Sequence, residues 1–90
     1  LGSLRGKTRI IEPMMVTLES SDEVFPLFQH EGVEFLHMLE GAMDYGYGPK
    51  NYRLGAGDTI QIHGEVAHGP VKLVELPVRF MSVKVFPAAD

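Results

Sequence analysis

The chain contains no cysteine, which excludes disulfides, thiolate metal sites and thiol nucleophiles and leaves the compartment unrecorded in redox chemistry. No apolar run approaches the ~20 residues that span a bilayer, and no signal-peptide pattern opens the chain. A cytoplasmic location without a membrane partner is therefore the default expectation. Positive charge is scarce as well. Eight Lys and Arg stand against twelve Asp and Glu, a formal net charge of −4, and the one local grouping of cations is Arg5, Lys7 and Arg9. Duplex binding needs several phosphates neutralised from one basic face. No such face is visible, so DNA is expected as a partner only through a domain outside these residues.

What is present describes one small β-domain. Ninety residues suffice for a single domain, and 44% hydrophobic with 22% charged residues is ordinary for a globular fold. Ten glycines and six prolines punctuate short runs of β-branched and aromatic residues, the pattern of an all-β sandwich or barrel. Residues Leu1 to Arg9 read as an extended arm or linker before a domain over 10–90. Met14 to Leu18 reads as a strand that can begin near Ile10, with Pro13 suiting an edge. Glu19 to Glu23 reads as a polar turn. Val33 to Leu39 predicts a strand, turned by Gly41 into a second over Ala42 to Tyr47. Gly48-Pro49-Lys50-Asn51 forms a hairpin turn into Tyr52 to Leu54. Gly55 to Asp58 turns again into Thr59 to Ile62. Val71 to Val74 and Arg79 to Phe86 complete a set of seven or eight short strands. Phe35, Leu36, Met38 and Leu39 also fit a helical face, but Gly32 and Gly41 leave only eight residues between them, short for a helix.

The residues suited to chemistry are four histidines, at 30, 37, 63 and 68, interleaved with Glu31, Glu34, Glu40, Asp58 and Glu65. Imidazole and carboxylate together suit Fe, Mn, Ni or Zn, and two His with one carboxylate can hold such a metal with positions left open. In an arbitrary chain, His and Glu near strand ends are more often solvated surface groups. Alternation puts Glu34, Leu36 and Met38 on one face of their strand and Phe35, His37 and Leu39 on the other. If Glu34 points inward, His37 points out, toward another sheet or a subunit contact.

The run His30-Glu31-Gly32-Val33-Glu34 continued by Gly41 resembles the first motif of the cupin superfamily, His-x-His followed by Glu and then Gly. Gly57-Asp58 followed by His68, eleven residues after the glycine, resembles the second. Fifteen residues separate Gly41 from Gly57, a short inter-motif length, and the resemblance covers roughly Met14 to Val85. It implies a small cupin barrel, an all-β double-stranded β-helix of jelly-roll type. It also implies a metal set of His30, Glu34 and His68, and a cavity walled by Phe28, Leu36, Met38, Ile60 and Ile62, with His63 as a further candidate. The sequence departs from the pattern at Phe28, where the first His of the pair belongs, at His63 in place of Pro, at Glu65 in place of Gly, and at Lys72 in place of Asn. Loss of a ligand to Phe28 fits either a three-ligand metal site or a pocket that has given up its metal.

Fold does not settle function. The wording of both motifs, with Tyr52-Arg53-Leu54-Gly55-Ala56-Gly57-Asp58 and Ala67-His68-Gly69-Pro70, looks like the C-terminal cupin domain of Xre-type helix-turn-helix regulators. That likeness implies a small-molecule effector in the barrel, a homodimer, and a DNA-binding domain not contained in this chain. The opening Leu-Gly-Ser and the basic arm suit a position just after such a domain. The alternative is a stand-alone metal-dependent dioxygenase or isomerase, with Tyr45, Tyr47 and Tyr52 as weak acid/base candidates. A third reading is a ligand-free dimerisation platform built on Phe25, Leu27, Phe35, Phe80 and Phe86.

Overall fold

Two long strands dominate where the sequence predicts several short ones. The computed structural model describes residues 9–22 and 25–87. It contains β1 (Arg9–Leu18), β2 (Val33–Tyr47), β3 (Lys50–Gly55), β4 (Thr59–His63) and β5 (His68–Pro87). Among the described residues there is no helix. All pairings are antiparallel, in the order β1-β5-β2-β3, with β4 beside the first half of β2 and β3 beside its second half. The fold is a small all-β one built of antiparallel strands, as expected. Residues 1–8 of the predicted arm lie outside the described residues, as does Glu23, and Arg9 already belongs to β1.

The strand count differs from the expectation for a definable reason. Gly41 does not end a strand; β2 runs through it with register shifts against β5 on both sides. Its φ of +79° is open to glycine at little cost. A Cβ there would meet the carbonyl oxygens of Pro77 and Glu75 on β5 at 2.2 and 2.5 Å. Gly41 is thus a bulge that bends a continuous strand. The same bend carries β5 through the region predicted to separate Val71–Val74 from Arg79–Phe86. The turns Gly48-Pro49 and Ala56-Gly57 occur where predicted, although β3 starts at Lys50 rather than Tyr52. The Asp58 carboxylate accepts from the Gly55 amide at 2.8 Å and closes the second turn. Among the described residues β1 is an edge strand that pairs with β5 alone, the position in a sheet where a proline such as Pro13 is tolerated.

Alternation along β2 is as predicted: Glu34, Leu36 and Met38 are buried, and Phe35, His37 and Leu39 are exposed. The inward residues of the other strands meet them, forming a core of Leu18, Leu36, Met38, Met43, Tyr45, Leu54, Ile62, Val78 and Phe80. Each fully buried aliphatic side chain there stabilises the fold by about 1.5–3 kcal/mol relative to exposure. Phe80, predicted as an interface residue, instead faces inward as part of this core. Leu27 and Phe35 are exposed, and Phe25 and Phe86 are half-buried.

Candidate metal centre and ligand cavity

At one end of the same inward face, the side chains turn polar. Glu34, the second residue of β2, is 4% exposed, and His68, the first of β5, is 1% exposed. His30 enters from the segment preceding β2. The three donor atoms lie within 4.8 Å of one another. Glu34 Oε1 is 3.2 Å from His30 Nε2 and 3.1 Å from His68 Nε2, and Glu34 Oε2 accepts from the Ser82 hydroxyl at 2.7 Å.

Backbone pairing holds the two rings. His30 Nδ1 donates to the Glu31 carbonyl at 2.9 Å, and His68 Nδ1 donates to the Val66 carbonyl at 2.8 Å. A carbonyl can only accept, so each Nδ1 carries a proton, and in a neutral ring that leaves a lone pair at Nε2. Both Nε2 atoms face a carboxylate oxygen. With both rings neutral, three acceptors face one another and need a cation or an extra proton between them. Donor separations of 3.1 and 3.2 Å also suit a metal, since bonds of about 2.1 Å at right angles put neighbouring ligands about 3.0 Å apart. The residues therefore fit the divalent metal that the fold family implies.

Gly64 lets His30 in. A Cβ at Gly64 would stand 2.3 Å from His30 Cε1 and Nδ1 and 2.6 Å from its carbonyl oxygen. The Gly64 carbonyl accepts from the His30 amide at 2.8 Å. Phe28 contributes through its backbone, exchanging amide–carbonyl bonds of 2.7 and 3.0 Å with His68. Its ring stands where the motif has a third histidine, with its centroid 6.4 Å from that of His68.

Burial alone pushes the Glu34 carboxyl up, but the hydrogen bond from Ser82, the His30 ring against it and the positive charge of Lys84 outweigh it. Its net position is below the ordinary carboxylate value, and it stays ionised. Tyr45 is pushed up, first by burial and then by the Glu34 charge, so its phenol keeps its proton.

A cavity of about 410 Å³ opens over this cluster. Met14, Val16 and Leu18 of β1 form one wall, Phe80, Ser82 and Lys84 of β5 another, and Phe25, Phe28, Gln29, Tyr45 and Pro70 complete it with the three donors. Of the predicted walls, Phe28 is there. Leu36, Met38, Ile60 and Ile62 are not. Leu36 and Met38 sit further along the inward face, in the core cluster with Met43, Leu54 and Val78; Ile62, in register with Glu34, belongs to that cluster as well, and Ile60 packs against it. His63 is exposed, because its partner Val33 puts it on the outward face opposite to that of Ile62 and Glu34. His37 is exposed too, hydrogen-bonded to the Thr59 hydroxyl at 2.7 Å. Sequence reasoning missed Ser82, Lys84 and Gly64. Two polar residues in the alternation Val78, Phe80, Ser82, Lys84 were the available signal, since they fall on the face their neighbours bury.

The cupin domain family model matches residues 14–84. No curated protein matches the chain. Among solved structures, iron(II) HppE in complex with substrate is similar over 82% of this chain at 24% identity and a TM-score of 0.69, but this chain spans only 45% of it. Hydroxypropylphosphonic acid epoxidase from S. wedmorenis, in complex with fosfomycin, gives 23% identity and a TM-score of 0.69 over 82% of this chain and 43% of its own. A conserved protein of unknown function from Streptococcus pyogenes matches with 19% identity and a TM-score of 0.76, covering 96% of this chain and 70% of its own. These similarities speak to the fold.

Proposed function

We propose, from the premise that this chain belongs to the cupin domain family, that it is a small-molecule-sensing barrel. In this reading His30, Glu34 and His68 hold one divalent transition metal, and an effector enters the cavity beside it. The observation that carries the metal is the convergence of two imidazole Nε2 atoms on Glu34 Oε1, each ring held with its Nδ1 proton on a backbone carbonyl. Bound there, the metal supplies positive charge and open positions for a ligand atom. The chain's own residues orient it: Ser82 holds the carboxylate, Gly64 admits His30, and the Phe28 backbone fixes His68.

The sensing role rests on the resemblance of both motifs to the C-terminal barrels of Xre-type regulators, with DNA contacted by another domain. A homodimer is part of that reading. Its support is the outward sheet face, where Met15 pairs with Met81 and Phe35 pairs with Val83, all but Val83 exposed. Effector binding would act by linkage, favouring one of two dimer arrangements by its differential affinity for them. The test is elemental analysis of untagged protein before and after addition of Mn, Fe, Ni and Zn. About one metal per chain is expected, lost in His68→Ala while the β-sheet circular dichroism signal is retained. Absence of metal under every condition overturns the metal site.

A second reading, a metal-dependent enzyme, is favoured by one observation. Tyr45 places a buried phenol that keeps its proton in the cavity wall beside His68, with ring centroids 6.3 Å apart. The three protein donors form the two-His-one-carboxylate set of non-haem iron oxygenases. Substrate-dependent oxygen consumption by the iron-loaded protein, lost in Tyr45→Phe, would favour this reading over sensing.

A further inference from the structure

Lys84 projects inward one alternation beyond Ser82 and lies directly across the ladder from Glu34. Glu12 faces it in register from β1, but that carboxylate is exposed. Lys84 is half-buried and lines a cavity whose broad walls, Met14, Val16, Phe28 and Phe80, are apolar. Most other polar groups there are engaged among the described residues. Ser82 donates to Glu34, Gln29 Nε2 donates to the Glu65 carbonyl, and both imidazoles are held as above. A lysine stem often runs along apolar surface with its charge in water. This one lines a concave site, and its charge acts on the buried carboxylate of Glu34.

Charge balance then selects the ligand. Without metal, Lys84 offsets Glu34. With a divalent ion on the triad, the same walls enclose an excess of positive charge, which is costly in a poorly hydrated site unless an anion enters. Among the described residues, the cations available are one ammonium and the metal position. Among them neither an arginine fork nor a helix N-terminus lines the cavity, which favours a carboxylate over a phosphate ester. The volume of about 410 Å³ equals about fourteen waters at ~30 Å³ each, room for roughly ten non-hydrogen atoms.

We infer that the cavity takes a small organic carboxylate with a short apolar body, its carboxylate paired with Lys84 and its body lying on Met14, Val16 and Phe80. This deepens the proposed function and rests on reading the cavity as the ligand site.

Calorimetric titration of the intact chain with hexanoate and with hexanol, in metal-free and metal-loaded protein, tests it. Hexanoate is expected to bind at least ~10-fold more tightly than hexanol, and more tightly in loaded than in metal-free protein, by linkage. Lys84→Met should erase that preference while retaining metal content and the thermal midpoint, and Lys84→Arg should keep it. Equal affinity for the two probes, a preference that survives in Lys84→Met, or no hexanoate binding up to about 10 mM overturns the inference. Metal content is read separately, so a chain that prefers hexanoate through Lys84 yet holds no metal sinks the metal site and leaves the carboxylate site standing.

Discussion

Two stretches of one inward face, on the same two strands, do opposite things. Along β2, Leu36 and Met38 are fully enclosed by Met43, Val78 and their neighbours, whereas Glu34, two residues earlier, faces His30, His68 and Ser82. Along β5, Val78 belongs to the closed part and Phe80 stands at the boundary, in the core and on the cavity wall, whereas Ser82 and Lys84 border the cavity. Because each strand runs unbroken from one region to the other, the packed half serves as the rigid mount for the polar half. The polar half in turn spends burial on groups that contribute little to stability, and Ser82 and the ring-to-carbonyl bonds keep its atoms satisfied.

The largest effect should come from breaking the mount. Leu36→Ala removes a fully buried side chain and should cost about 2–5 kcal/mol of unfolding free energy in urea titrations. A smaller loss would mean that the closed half collapses around the gap. Gly64→Ala attacks the junction between the halves. Its Cβ must displace His30, so about 1–3 kcal/mol of overpacking strain is expected in thermal melts, together with weakened metal binding. Retention of wild-type metal affinity would show that His30 can be repositioned freely.

Ser82→Ala touches only the polar half. It removes the donor on Glu34 Oε2 and should lower metal affinity about 10–100-fold, read by competition with a chelator. Acid titration of metal-free protein gives the smallest effect. Glu34 titrates below its ordinary value in the fold, so the stability it contributes is complete above about pH 4.3 and is lost as pH falls through the lower folded value. Glu34→Gln should flatten that acid limb of the stability curve. An unchanged limb would place the acid sensitivity elsewhere.

Much of the site was legible because its signals are local. The spacing of His30, Glu34 and Gly41 and the later Gly57 and His68 marked the three donors, and period-two alternation separated Glu34 from His37 correctly. Ser82 was invisible for the opposite reason: it meets Glu34 across 48 residues of chain, and only the β2–β5 register, with Ser82 opposite Leu36, brings the two side chains together diagonally on one face. Gly41 was misread because a glycine before a strand looks alike whether it turns the chain or bends it. The carbonyls of Pro77 and Glu75, which require the bend, come from a distant strand.

The sequence by itself determined the chemistry available: no thiol, two inward-facing stretches of alternating residues, and an imidazole–carboxylate set at motif spacing. Tertiary structure decided where that chemistry meets space. Leu36, Met38 and Glu34 share one face by parity, yet whether a position on that face opens into a cavity or is capped by Met43 and Val78 depends on side chains from other strands. Parity is a property of one strand, whereas enclosure is a property of the register among several.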